Sequence, residues 1–73
     1  MWKTPEQQRF GKNLYRLRVA KGLTQEKLAE LADLHRNYAS SAERGERNLG
    51  LMNIVRLARA VGVSPSRLLR GIR

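Results

Sequence analysis

The amino-acid sequence predicts an all-α fold built from five short helices, and three observations support this prediction. Apolar residues recur at helical spacing along most of the 73-residue chain, and no stretch shows the alternation of a half-buried strand. Glycines and helix-capping residues divide the chain into five segments. The connections between these segments are short enough to require a compact cluster of helices. We therefore expect a single domain over residues 1–73, with its core between residues 10 and 69 and short basic tails.

The first helix is expected to start at Thr4 and to end before Gly22. Pro5 at the first helical position and Gln7 three residues after Thr4 are typical of a capping box. Trp2 precedes this cap, and the sequence leaves open whether it packs against the domain or is disordered. One side of the helix carries its expected buried residues, Phe10, Leu14 and Leu17.

The second helix is expected to begin after Thr24, a good N-cap residue, and to end at a turn formed by Asp33 and Leu34. Aspartate tolerates the left-handed conformation that such a turn tends to need. The third helix is expected from Arg36 to Arg44, with His35 in the position of its cap. The apolar face of the second helix consists of Leu28, Ala29, Leu31 and Ala32.

The last two helices follow the loop ERGERNLG. The fourth is expected from about residue 51 to residue 61, and Gly62 ends it. Ser64 and Pro65 then start a short fifth helix, which Gly71 closes. The apolar residues at helical spacing in this part of the chain are Leu51, Ile54, Leu57, Ala58 and Val61, followed by Leu68 and Leu69.

Charge and composition narrow the class of partner. The formal net charge is +9, 11 of the 15 cations are arginine, and no acid follows Glu46. Such a charge predicts a polyanionic partner, most commonly nucleic acid, although charge alone does not separate DNA from RNA or anionic lipid. One histidine and no cysteine predict no metal site. No apolar run is long enough to span a bilayer and no signal peptide is recognisable, so we expect a cytoplasmic protein that does not bind membranes.

The segment LRVAKGLTQEKLAELADLHRNYASSAERGERN, followed by ARAVGVSPSRLL, resembles the Cro/CI-type helix-turn-helix domain of phage repressors and bacterial regulators. Within that family, the pairing of LHRNY with ERGERN is most similar to the controller proteins of restriction–modification systems. The resemblance extends from residue 10 to residue 69. It implies a compact five-helix, lambda-repressor-like fold in a bacterial or phage protein, with double-stranded DNA as partner and association with the nucleoid when bound.

The resemblance further implies that the third helix lies in the major groove and that its N-terminal residues read bases. Arg36 can donate two hydrogen bonds to guanine, and Asn37 can pair with adenine or contact a phosphate. Ser40 and Ser41 lie one turn further along, and both are expected on the same outward face. Exposed serines are also often merely solvated.

A second group of residues is expected to contact the phosphate backbone, which fixes the register of the protein without reading sequence. For Arg47 a base contact is a further option, and solvated loop charges are the simpler alternative for the arginines. Tyr38 belongs either to the DNA surface or to the core. The members of this group are Gln25, Tyr38, Arg44, Arg47 and Asn48.

Two pairs of residues are expected to serve the fold. By resemblance, Arg18 and Glu43 form a largely buried ion pair between the first and third helices. Ala39 and Ala42 stand where the family usually has larger aliphatic residues. Either a neighbour such as Leu31 or Leu49 fills the space, or the third helix packs unusually close.

We expect a sequence-specific transcriptional regulator that binds a palindromic operator as a homodimer. Its dimer interface is expected at Met52, Val55, Leu69 and Ile72, although these residues could instead complete a thin core. The alternative is an antitoxin-type interaction module that neutralises a toxin and regulates its own synthesis. RNA polymerase is the further partner that an activator would need, and no motif marks a surface for it. No catalytic constellation is recognisable, so we expect no enzymatic activity, cofactor or small-molecule ligand.

Overall fold

The computed structural model describes residues 3–73 and confirms the all-α prediction. Its five helices are α1 (Pro5–Ala20), α2 (Gln25–Ala32), α3 (Arg36–Glu43), α4 (Leu51–Ala60) and α5 (Pro65–Leu68). Residues 3–73 contain no strand. No helix among them is long and apolar enough to cross a membrane. The alternatives for Trp2 lie outside the described residues.

Side-chain caps define where the first three helices begin. Thr4 and Gln7 form the predicted capping box, in which each side chain bonds the backbone N–H of the other residue, at 3.0 and 2.8 Å. The Thr24 hydroxyl accepts from the Lys27 N–H at 3.0 Å. His35 caps α3, because its Nδ1 accepts from the Asn37 N–H at 3.0 Å. The N-terminus of the predicted recognition helix is therefore held by its own cap residue.

The α2–α3 turn depends on one residue with a positive φ angle. Asp33 has φ 58° and ψ 45°, the left-handed conformation expected for this position. Its N–H bonds the Glu30 carbonyl, and the Leu34 N–H returns to the carbonyl of Ala29. This turn joins α2 to α3 through Asp33, Leu34 and His35.

The core is small and consists largely of leucine and alanine. Three residues predicted for apolar faces lie outside it, since Leu31 is 51% exposed, Leu51 is 74% exposed and Leu69 is 37% exposed. Helical spacing identifies the apolar side of a helix, but the edges of that side need not be covered by a neighbour. The buried residues with the largest side chains are Phe10, Leu14, Leu28, Leu57 and Leu68.

α3 packs closely on α1, and this contact bears on the small residues Ala39 and Ala42. Gly11 is buried, and a Cβ atom at this position would lie 2.8 Å from the Ala42 carbonyl oxygen and nearer still to that of Glu43. At Gly45 an added Cβ would lie 2.9 Å from the Gln8 Cα. The backbones of the two helices thus meet closely, which requires small residues at the contact. At Ala42 the structure shows close packing, and Leu31, which is 51% exposed, does not fill the space, whereas Leu49 packs against the core that contains both alanines.

Candidate nucleic-acid interface

The two faces of α3 differ in burial and in chemistry. Ala39 and Ala42 are buried against the core, whereas Arg36 and Asn37 are exposed at the N-terminal end. Within residues 3–73, the side chains of Arg36 and Asn37 make no hydrogen bond and no ion pair. Their donors and acceptors are therefore available to a ligand without any exchange of internal partners.

The two serines on α3 do not share one face. Ser40 is half-buried, and its hydroxyl accepts from Arg44 Nη1 at 2.5 Å. Ser41 is only 6% exposed, so the prediction that it lies on the outward face is wrong. Its hydroxyl donates to the Tyr38 carbonyl at 3.0 Å and accepts from Arg47 Nε at 2.8 Å. The Ser41 hydroxyl is thus hydrogen-bonded within the chain, to α3 itself and to the loop that follows it.

Arg44 is exposed at the end of α3 and is paired within the chain. Its Nε and Nη2 donate to the two carboxylate oxygens of Glu46, both at 3.1 Å. These hydrogen bonds raise the pKa of Arg44 and lower that of Glu46 below its usual value. Glu46 also lies 3.9 Å from Lys3 Nζ. A phosphate that approaches Arg44 must compete with this carboxylate.

Tyr38 of α3 and Arg47 of the loop that follows α3 form a stacked pair. The Arg47 guanidinium carbon lies 4.8 Å from the centroid of the Tyr38 ring, within range of a cation–π interaction. The Tyr38 hydroxyl accepts from Asn53 Nδ2 at 3.0 Å. Tyr38 is half-buried, so it takes part in both the packing and the surface, and Asn48 is exposed beside Arg47. Nothing in the sequence pattern distinguishes Asn53 as a partner of this group.

An ion-pair network fixes the C-terminal end of α3. Arg18 Nε and Nη2 donate to the two carboxylate oxygens of Glu43 at 2.5 and 3.2 Å. Arg18 Nη1 donates to the Leu23 carbonyl at 2.7 Å. Gln25 Nε2 donates to Glu43 Oε1 at 2.9 Å, which links the first turn of α2 to the same carboxylate. The side chains of Arg18 and Glu43 are 12% and 4% exposed, so the pair lies in a largely dry environment.

Charge is unevenly distributed around the helix-turn-helix unit. Residues 25–46 carry five acids and three cations, whereas the rest of the chain carries one acid and twelve cations. Most of the positive charge therefore lies outside the segment that contains α2 and α3. Residues 3–73 contain no cluster of side chains able to hold a metal ion.

The predicted dimer residues lie on α4 and at the C-terminal end of the domain. Met52 is 57% exposed and Leu69 is also exposed, whereas Val55 and Ile72 are half-buried. Ile72 packs against the core, as the alternative interpretation expected. Leu69 and Ile72 also line a shallow apolar groove with Phe10, Leu49 and Ile54.

Comparison with known proteins identifies the class. A protein-family model described as "Helix-turn-helix" matches residues 14–68. The chain belongs to this family and is a DNA-binding transcriptional regulator of its Cro/CI type.

Several of the similar proteins are control proteins. The control protein C.BamHI of Bacillus amyloliquefaciens is 48% identical over 61 residues, which cover 82% of this chain and 75% of that protein. The control protein C.SmaI of Serratia marcescens is 43% identical over 60 residues, which cover 82% of this chain and 71% of that protein. The crystal structure of the restriction-modification controller protein C.AhdI from Aeromonas hydrophila matches with a TM-score of 0.86 and 46% identity, covering 89% of this chain and 98% of that one.

Proposed function

We propose that this chain binds a palindromic DNA operator as a homodimer, with α3 of each copy in a major groove. The observation that carries the proposal is the contrast between the two faces of α3. Its N-terminal end presents Arg36 and Asn37 without internal partners, while its opposite face is buried and anchored by Glu43. A helix held this rigidly can present side chains to base edges at little further entropic cost.

Arg36 and Asn37 are the proposed base readers. The Arg36 fork matches the O6 and N7 acceptors of guanine, and the Asn37 amide matches the N6 and N7 positions of adenine. Ser40 stands one turn further along and keeps its hydroxyl proton available, since it accepts from Arg44. Each good bidentate contact contributes about 1–3 kcal/mol to the discrimination between bases.

The proposed backbone contacts flank the recognition helix. Gln25 lies at the N-terminus of α2, where backbone N–H groups favour an anion. Arg44, Arg47 and Asn48 follow α3 and are all exposed, so they can reach phosphates on the same strand. Tyr38 contributes its ring as a support for Arg47. The contacts of Gln25, Arg44 and Asn48 set register and affinity without reading sequence, whereas Arg47 can also reach a base.

Met52, Val55, Leu69 and Ile72 form the proposed dimer interface. A two-fold dimer would place two copies of α3 about one helical turn of DNA apart, which gives the palindrome. C.BamHI is named a control protein and C.AhdI a restriction-modification controller protein, so we further propose that this chain regulates the genes of a restriction-modification system. RNA polymerase is a proposed partner if regulation includes activation.

Two substitutions test the assignment of roles. Affinities of the wild type, Arg36→Ala and Arg44→Ala are measured for the operator and for duplexes with single base-pair changes. Arg36→Ala should relax the preference at one base pair in each half-site. Arg44→Ala should weaken binding to all duplexes alike. It should also reduce the slope of log binding constant against log salt concentration by about one unit. An equal loss of base preference in both variants would contradict the assignment of Arg36 to base reading and Arg44 to phosphate contact.

A further inference from the structure

Asn53 makes a contact that the proposed function does not use. It lies in the first half of α4, the helix that carries part of the proposed dimer interface. Its Nδ2 donates to the Tyr38 hydroxyl of α3 at 3.0 Å, and both residues are half-buried. A tyrosine ring whose hydroxyl is held in this way cannot swing outward without breaking the bond.

The held ring in turn supports Arg47. The guanidinium carbon lies 4.8 Å from the ring centroid, and Nε donates to the buried Ser41 hydroxyl at 2.8 Å. Arg47 is therefore fixed on two sides, by a ring below it and by a hydroxyl at Nε. Nη1 and Nη2 make no hydrogen bond within residues 3–73. The two nitrogens suited to a bidentate contact are the ones that remain available.

We propose that Asn53 is a positioning residue for DNA recognition, which acts through Tyr38 on Arg47 and raises the discrimination between operator and other sequences. The proposal rests on the proposed function and deepens it. An arginine side chain loses considerable rotamer freedom when it is immobilised, and this entropy opposes binding. Holding the guanidinium in place before DNA binds reduces the entropy that is lost on binding. This gain applies only to DNA sequences whose base pairs fit the held geometry.

A purely structural role for the same bond predicts a different pattern. If the bond only clamps α3 to α4, its loss lowers stability and weakens binding to every duplex equally. The effect would then be independent of whether residue 47 is an arginine. Dependence on Arg47 is the feature that separates positioning from clamping.

The test is a double-mutant cycle in the full chain. The operator is enriched from a random duplex pool with the wild type, and discrimination is the ratio of its affinity to that of an unrelated duplex. Asn53→Ala should lower this ratio about three- to tenfold, the fold-change expected for one lost hydrogen bond. Tyr38→Phe removes only the hydroxyl and should have the same effect. In the Arg47→Ala background, Asn53→Ala should change the ratio no further.

Asn13→Ala is the matched control. Asn13 donates to the carbonyls of Leu68 and Arg70, both at 2.8 Å, so its loss also removes helix-joining hydrogen bonds. It should lower the melting temperature and leave the discrimination ratio unchanged. An unchanged ratio in Asn53→Ala, or an equal loss with and without Arg47, would overturn the positioning role.

A measurement without DNA keeps this proposal separate from the proposed function. The Arg47 Nε–Hε resonance of the free wild-type protein should show restricted motion, and Asn53→Ala should increase its mobility. If the wild type enriches no sequence, the proposed function fails and the specificity role fails with it. If the wild type discriminates but Arg47 is equally mobile with and without Asn53, only the positioning role fails.

Discussion

At the scale of single residues, the polar side chains around α3 divide by whether they already have a partner. Arg36 and Asn37 have none among the described residues, whereas Ser40, Arg44 and Arg47 hold internal hydrogen bonds. A paired side chain contributes to binding only the difference between its internal contact and its contact with DNA. Because the side chains without internal partners lie at the N-terminal end of α3, the largest contribution to base discrimination is expected there.

Glu46→Gln is predicted to strengthen DNA binding. The substitution releases Arg44 and removes a negative charge from the proposed phosphate-binding side. An exposed ion pair of this kind is weak, so affinity should rise by no more than about fivefold for all sequences. Fluorescence anisotropy with labelled duplexes measures this effect.

The control for Glu46 is Glu30→Gln, which removes an acid paired with Lys27 on the exposed side of α2. An equal rise in Glu30→Gln would assign the effect to net charge alone.

The gain in affinity from Glu46→Gln depends on pH in a defined direction. Because Arg44 lowers the pKa of Glu46, the carboxylate stays charged below the usual glutamate range, and the benefit of Glu46→Gln should disappear only when the pH falls through that lowered pKa.

At the scale of secondary-structure elements, the ion pair between α1 and α3 is expected to be essential for folding. Glu43→Ala would leave the buried guanidinium of Arg18 and the amide of Gln25 without their acceptor. Removing one partner of a buried pair typically costs about 3–5 kcal/mol, a large share of the stability of a small domain. Urea or thermal unfolding should show this loss. Glu30→Ala, at an exposed pair, should cost less than about 1 kcal/mol, and an unchanged melting temperature in Glu43→Ala would contradict the account.

The close contact of α1 with α3 makes a second prediction at this scale. Alanine is the better helix former, so Gly11→Ala would be stabilising if the site were open. Because the added Cβ would meet the Ala42 and Glu43 carbonyls, the substitution should instead destabilise by about 1–3 kcal/mol. Gly50→Ala is the control for a glycine in open space, since an added Cβ there meets nothing within 4 Å and only the small cost of losing an N-cap glycine is expected. A Gly11→Ala variant as stable as the wild type would show that the two helices can separate freely.

Much of the fold could be predicted because its determinants are local. The Thr4 and Thr24 caps and the left-handed Asp33 each depend on residues within one turn of the chain. The exposure of Leu31 and the burial of Ser41 depend on what the neighbouring helices cover, which periodicity does not report. Gly11 lies within a helix where glycine is unfavourable, and this signal could have indicated the close contact.

The candidate site was predictable only in part, for the same reason. Arg36 and Asn37 follow from their place at the start of a capped helix. The bond of Ser41 with Arg47 and that of Asn53 with Tyr38 join residues six and fifteen positions apart, and helical spacing does not indicate them. Polar residues at the edge of a buried face require the tertiary structure to be assigned.

At the scale of the whole molecule, attraction to DNA and reading of DNA originate in different places. The helix-turn-helix segment from residue 25 to residue 46 has more acids than cations, and the surrounding chain supplies the positive charge. Such a field accelerates encounter with a polyanion and is weakened by salt. The association rate should therefore depend on salt more strongly than base preference does.

Self-association gives a prediction at this scale. We expect sedimentation at micromolar concentration to show a dimer, because a half-site alone gives limited affinity. Met52→Asp places a charge in the proposed apolar interface and should shift the chain to monomer with a loss of operator affinity. Leu31→Asp is the control, since Leu31 is similarly exposed on α2 outside that interface. A wild type that remains monomeric would contradict the proposed interface.

The most direct test of sequence-specific binding as a dimer is selection of bound duplexes from a random DNA pool with the wild-type chain. Sequence-specific binding as a dimer predicts a palindromic consensus whose half-sites are separated by about one helical turn. Enrichment of no sequence, or of a single site without two-fold symmetry, would contradict it.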